Sequence, residues 1–267
     1  MLGFNGGRVG KTNTVFTGTV SDDPSYSSVS LLLNGNGTNG STTFTDSSSY
    51  GHTVTPVGNA QISTTQSKFG GASIYLDGSG DYLQSPTSTD FILGTNDFTL
   101  EAWIYPLGFA GAPNYNNYGP IFEYRTANVS QVNVLLSFIG SSTLVFYVSG
   151  SARITGSAIS TNQWTHVALT RSSGITRMFI NGIQSGSSYS DTNSYVSSVF
   201  RIGGNIAGDA FFNGYIDDLR ITKGVARYTS NFTPPKAELP GAVTGTFASG
   251  VWTPREQCDA VRKGVWP

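Results

Sequence analysis

Asn213-Gly214-Tyr215-Ile216-Asp217-Asp218-Leu219-Arg220-Ile221-Thr222 is the stretch on which the reading of this chain turns. As a strand it alternates, with Tyr215, Asp217, Leu219 and Ile221 on one face and Ile216, Asp218, Arg220 and Thr222 on the other. Asp217 then shares the more apolar register. A carboxylate there needs a cation or strong donors, because an unpaired buried charge is costly. The run predicts a built structural site on a β-strand, not a catalyst.

The same period recurs on either side. Phe98-Thr99-Leu100-Glu101-Ala102-Trp103-Ile104-Tyr105 alternates with Phe98, Leu100, Ala102 and Ile104 as the inward set, and Pro106 is expected to end it. Residues 29–33, 69–76, 82–83, 134–138, 144–148, 164–170, 177–180 and 200–203 read as further strands. Asn181-Gly182 marks a tight hairpin, since both residues tolerate positive φ. Short strands at this spacing predict an all-β fold, a two-sheet antiparallel jelly-roll sandwich.

Composition agrees and excludes other classes. The 267 residues include 33 Gly, with 12% aromatic and 12% charged, a profile of short strands and polar, uncharged turns. Net charge is −1 and the 15 basic residues form no run, so no nucleic acid partner is expected. No apolar run reaches the ~20 residues of a membrane span, so no membrane insertion is expected. The start lacks the apolar core of a secretory signal. The single Cys258 gives neither a disulfide framework nor a multi-cysteine zinc site.

The ends differ in character from the middle. Residues 1–27 read as an extended N-terminal arm, 28–238 as the sandwich, and 239–267 as a linker and C-terminal helical assembly tail. Thr253, Pro254 and Glu256 give a helix start and Gly264 a stop. Leu2, Phe4, Trp252, Val261 and Trp266 are the apolar anchors such ends would bury against assembly partners.

Residues 69–73, 76–83, 98–104, 163–168, 179–182 and 214–221 occur in an order that resembles the laminin-G-like branch of the concanavalin A-like jelly roll, in its LamG-3 form. The resemblance covers roughly residues 28–235. It implies two packed antiparallel sheets, often a structural calcium, and glycan or protein binding on a sheet face or rim. By match to the family's acidic stations, Asp77 and Asp217 are the candidate calcium ligands, with Asp46 third. The chain departs from related sequences at Leu33-Asn34-Gly35-Asn36, where an acidic residue is common. Gly214 through Thr229, the Gly-rich start and the tail from Ser249 also look like segments of tailed-phage virion proteins.

Chemistry is sparse. Tyr105, Asn114, Tyr115, Asn116 and Tyr118 lie on an aromatic, amide-rich loop of the kind that suits sugar rings and wet interfaces. His166 has no histidine neighbour and reads as structural. Sugar hydrolysis needs two carboxylates flanking the bond. Here Glu101 stands alone, Asp217 and Asp218 are adjacent and so on opposite faces, and Glu123 reads as a surface pair beside Arg125.

The expectation is therefore a non-enzymatic phage virion protein, a tail fibre or capsid decoration on the particle exterior. Its partners would be other virion proteins, through the arm and tail, and host-surface polysaccharide; a homotrimer is the expected assembly. The alternatives are a bacterial cell-surface carbohydrate-binding module and, third, a glycoside hydrolase.

Overall fold

The structure, a computed structural model, describes residues 15–109, 119–124, 134–139, 142–241 and 243–248; for 15–20, 134, 139 and 243–248 it describes the backbone alone. Leu2, Phe4, Asn114, Tyr115, Asn116, Tyr118, Trp252, Val261, Trp266 and the expected terminal helix lie outside the described residues.

The strands are β1 (Val15–Val20), β2 (Val29–Leu33), β3 (Thr55–Val57), β4 (Gln61–Ser63), β5 (Ser73–Asp77), β6 (Tyr82–Gln84), β7 (Phe98–Gly108), β8 (Gly119–Tyr124) and β9 (Val134–Ile139). There follow β10 (Thr143–Val148), β11 (Ser151–Ala158), β12 (Thr165–Ser172), β13 (Ile175–Ile180), β14 (Ile183–Gln184), β15 (Tyr189–Ser190), β16 (Phe200–Ile202), β17 (Asn213–Lys223) and β18 (Val243–Ala248). Helix among the described residues is confined to the 3-10 turns Tyr26–Ser28 and Thr89–Phe91.

Ser27–Leu239 forms one compact unit of two antiparallel sheets. One runs β14-β13-β12-β7-β17-β5-β4, with β15 beside β13 and β2 beside β17; the other runs β11-β10-β9-β8-β16-β6-β3. Leu100, Ala102, Ile104, Ile216, Leu219 and Ile221 of the first sheet and Phe122, Leu136, Phe138, Phe146 and Phe200 of the second belong to one buried apolar cluster. This is the all-β sandwich expected from the sequence, with the inward set of β7 as read. The hairpin at Asn181-Gly182 also stands, with φ of 49° and 78°.

In the second unit, β1 and β18 pair antiparallel, Val15 opposite Ala248 and Val20 opposite Val243. Val15–Val20, in the stretch read as an extended arm, and Val243–Ala248, in the stretch read as a linker, are thus strands, each the other's partner.

Two readings of strand geometry are corrected. β7 runs through Pro106 to Gly108 instead of stopping at the proline. A register shift between Asn213 and Gly214 sets Pro106 opposite Gly214, in irregular pairing that accommodates a residue without an N–H. Gly214, at φ 150°, is held there by sterics, because a Cβ would collide with the Tyr105 carbonyl.

The second correction concerns the deciding stretch itself. Asp217 faces Trp103 and Arg220 faces Glu101, so Asp218 and Leu219 together oppose Ala102. This is a β-bulge, with Asp218 at φ 48°. The alternation resets across it. Ile216, Leu219 and Ile221 all enter the core. Tyr215, Asp217, Arg220 and Thr222 pair with Tyr105, Trp103, Glu101 and Thr99 on the outer face. Asp217 therefore does not share the register of Leu219 and Ile221. At the same point β17 changes neighbour, pairing with β5 before the bulge and with β2 after it.

Candidate ligand-binding face

The outer face of this sheet is built in rows, and each row does something different. Beyond the bulge, Glu101 is fully buried and accepts hydrogen bonds from Arg220 Nε (2.9 Å) and Nη2 (2.7 Å) and from Tyr228 Oη (2.8 Å). His166 Nε2 lies 3.3 Å from its other oxygen. Burial alone would raise the Glu101 pKa; the Arg220 guanidinium, joined by His166, overrides it and holds the carboxyl well below the usual range. Residues after β17 cover this row: Phe232 stacks on Tyr228 at 3.5 Å and meets Phe179 and His166 edge-on.

Glu101 is consequently a sealed structural group. His166, read as structural, is buried against it. Glu123, read as a surface pair, is instead 3% exposed and accepts from the Ile206 amide. None of these carboxylates flanks an open cleft in the way that hydrolysis of a glycosidic bond requires.

At the bulge, carboxylates meet amides instead of cations. Asp217 accepts from the amides of Lys68 (2.8 Å), Phe69 (3.1 Å) and Asp218 (2.9 Å). Asp218 accepts from Asn34 Nδ2 (2.8 Å) and the Leu239 amide (2.9 Å). Burial pushes Asp217 up to about 6 and Asp218 up to about 7, against the pull of these donors. The bonds join the end of β2, the approach to β5 and the chain after β17, where β17 changes partner and its neighbours would otherwise leave N–H groups unmet.

Asp77 sits elsewhere. It pairs with Asn213, about 13 Å along β17 from Asp217, and shapes its turn by accepting from the Ser79 amide. Asp46 organises its own loop, accepting from the amides of Leu32, Ser48 and His52. Asn34 supplies an amide N–H where the resemblance leads one to expect a carboxylate. Among the described residues, no three of His, Cys, Asp and Glu gather at a metal-holding distance. The donor set does not fit a calcium ion shared by Asp77 and Asp217.

Before the bulge the face changes again. Tyr75 of β5, Tyr215 of β17 and Tyr105 of β7 stand in direct register, and Trp164 comes level with Tyr105 one residue before β12. Ring centroids are 4.9 Å apart from Tyr75 to Tyr215, 5.9 Å from Tyr215 to Tyr105 and 5.5 Å from Tyr105 to Trp164. Gln61 of β4 extends the row by one strand. Tyr215 is buried between its neighbours, while Gln61, Tyr75, Tyr105 and Trp164 are partly exposed. Burial, then Tyr215 and the carboxylates of Asp77 and Asp81, raise the Tyr75 pKa, so its phenol stays a neutral donor.

Two clefts adjoin the row. One, of about 390 Å³, is lined by Asn59, Gln61, Tyr75 and Asp77. The other, of about 470 Å³, is lined by Lys68, Phe69, Trp103, Asn181 and the prolines Pro234 and Pro235. Of the residues expected on a binding loop, the structure places Tyr105 in this row, on a strand. Tyr75, Tyr215, Trp164 and Gln61 were missed. Tyr75 and Trp164 lay on strands already read, whereas Gln61 is on a strand that was not read and Tyr215 was assigned to the face of Leu219 and Ile221; only the register shows that they meet.

The two antiparallel sheets form a sandwich consistent with a concanavalin A-like jelly roll. The sequence model of the Laminin G 3 family, in the concanavalin A-like lectin/glucanases superfamily, matches residues 77–227, and the chain belongs to that family. Among solved structures, domain 4 of AbnA, a GH43 extracellular arabinanase from Geobacillus stearothermophilus, in complex with arabinotriose, is similar at TM-score 0.51 and 20% identity, covering 74% of this chain and 93% of that one. The receptor-binding domain of botulinum neurotoxin D is similar at 0.53 and 17%, covering 78% of this chain. The binding domain of Paraclostridial Mosquitocidal Protein 1 matches at the same values. The chain spans 50% of the length of each toxin domain. No curated protein sequence matches.

Proposed function

We propose that the chain is a non-enzymatic glycan-recognition module on the exterior of a phage particle, in a tail fibre or capsid decoration, serving host attachment or particle stability. The observation that carries the glycan part is the row Tyr75–Tyr215–Tyr105–Trp164, four aromatic rings abreast on the outer face with an amide at one end. Adjacent strands lie ~4.8 Å apart, so the row extends for roughly the length of a short oligosaccharide. Aromatic faces stack on the apolar faces of sugar rings, and the phenols and Gln61 reach their hydroxyls. The sealing of Glu101 supports a role without catalysis. The virion part rests on the likeness of residues 214–229 and of both flanks to tailed-phage virion segments.

Binding of purified protein to host polysaccharide, followed by calorimetry, tests the first part. Tyr105→Ala and Trp164→Ala should each weaken it by about tenfold, the worth of one aromatic anchor, with the fold intact by circular dichroism. Unchanged affinity in both would remove the row from the account. The likeness to an arabinanase domain in complex with arabinotriose favours a second reading, a bacterial surface carbohydrate-binding module. Deleting residues 240–267, which leaves Leu239 and the sandwich whole, separates the two: a virion component loses incorporation, a free module keeps its glycan.

A further inference from the structure

The cleft beside the row differs from it in charge. Trp103 is the next outward position on β7 after Tyr105, about 7 Å away, and lines this cleft. Lys68 Nζ sits 3.8 Å from the centroid of that indole and 5.7 Å from the Phe69 ring. Lys236 lines the same cleft, and no acidic residue does.

The nearby carboxylates are committed elsewhere. Asp217 takes the backbone N–H of Lys68, not its ammonium. Glu238, two residues from Lys236, accepts from Asn36. Neither lysine makes an ion pair with a described residue. The Trp103 indole N–H is buried and has no acceptor among the described residues. A cation held on an aromatic face meets no opposite net charge, whereas the field of one paired with a carboxylate is offset by its partner.

We infer that the cleft of Lys68, Trp103, Asn181 and Lys236 binds an anionic sugar unit, a ring bearing a carboxylate or sulfate. The ring would lie along Trp103 and Pro234, and its charged group would meet the two ammoniums. This rests on the glycan-binding reading of the row and sets its selectivity: a neutral chain uses the row alone, an acidic one uses both.

The test is a glycan array carrying neutral, uronate-bearing and sulfate-bearing oligosaccharides, probed with the whole chain and with Lys68→Gln/Lys236→Gln. The expected result is a wild-type preference for acidic glycans, uronate and sulfate scored separately. That preference should fall about tenfold or more in the double variant while neutral glycans bind as before. Binding to neutral glycans alone, or an acidic preference that survives the double variant, overturns the inference and leaves the row's reading standing. No binding to any glycan overturns both.

Discussion

The two halves of β17 share one sheet face and treat charge in opposite ways. After the bulge, Arg220 reaches Glu101, a cation meets the carboxylate, and Tyr228 and Phe232 close over the pair. At the bulge, Asp217 and Asp218 are as deeply buried but receive only amide N–H groups. One carboxylate ends far below its ordinary pKa and the other two above theirs. Burial raises all three; the opposing charge of Arg220 outweighs it at Glu101, whereas the amide donors at Asp217 and Asp218 lower the pKa by less than burial raises it. The lesson is that partner type, not depth, decides the protonation state of each group on this face.

The strongest way to break the comparison is Glu101→Gln. It removes the carboxylate charge that faces the buried Arg220 guanidinium, a change that costs about 3–5 kcal/mol where one partner of a buried pair is removed. Urea unfolding measures it. A loss below about 1 kcal/mol would mean that the apolar cover, not the ion pair, holds this half.

The next effect is in pH, and the two regions pull in opposite directions. Glu101 has a lowered folded-state pKa, so its stabilisation is present above the ordinary value of 4.5 and is lost as pH falls below it. Asp217 and Asp218 have raised values, so the folded state holds protons that the unfolded chain, near 3.8, has released. Stability therefore falls as pH rises from about 4 towards 7, with each group contributing a slope of up to about 1.4 kcal/mol per pH unit. Unfolding free energies measured between pH 4 and 8 should decline, and Asp218→Asn should flatten the upper part of that decline. A stability that climbs through this window would show that the bulge carboxylates have a cationic partner after all.

How far all this could be read from the sequence depends on the range of the interaction. β7, β12 and the Asn181-Gly182 turn are local patterns, and local patterns were legible. β3 and β4 are three residues each within a polar stretch, too short for a period to show. The bulge was illegible for a different reason. Strict alternation fits residues 213–222 as well as the true register does, and one extra residue opposite Ala102 decides between them. Glu101 looked solitary because its partner Arg220 is 119 residues away. Tyr105 was read on a binding loop and lies instead on β7, and its neighbours Tyr75 and Tyr215 belong to strands that only pairing brings alongside.

The smallest effect expected is that of a chelator, and it sharpens the comparison most directly. A bound cation would stabilise the fold by RT ln(1 + [L]/Kd), several kcal/mol at saturation, and would replace the amide donors at the bulge. The geometry leaves it little to do. Both oxygens of Asp217 and both of Asp218 already accept N–H groups, and Asn34 contributes a donor where a metal would want an oxygen charge. Calorimetric melting with and without excess EDTA at pH 7 should give the same midpoint. A midpoint that drops on chelation and is insensitive in Asp218→Asn would place a cation at the bulge. The two halves of β17 would then be alike after all, each carboxylate set neutralised by positive charge, one from the chain and one from solvent.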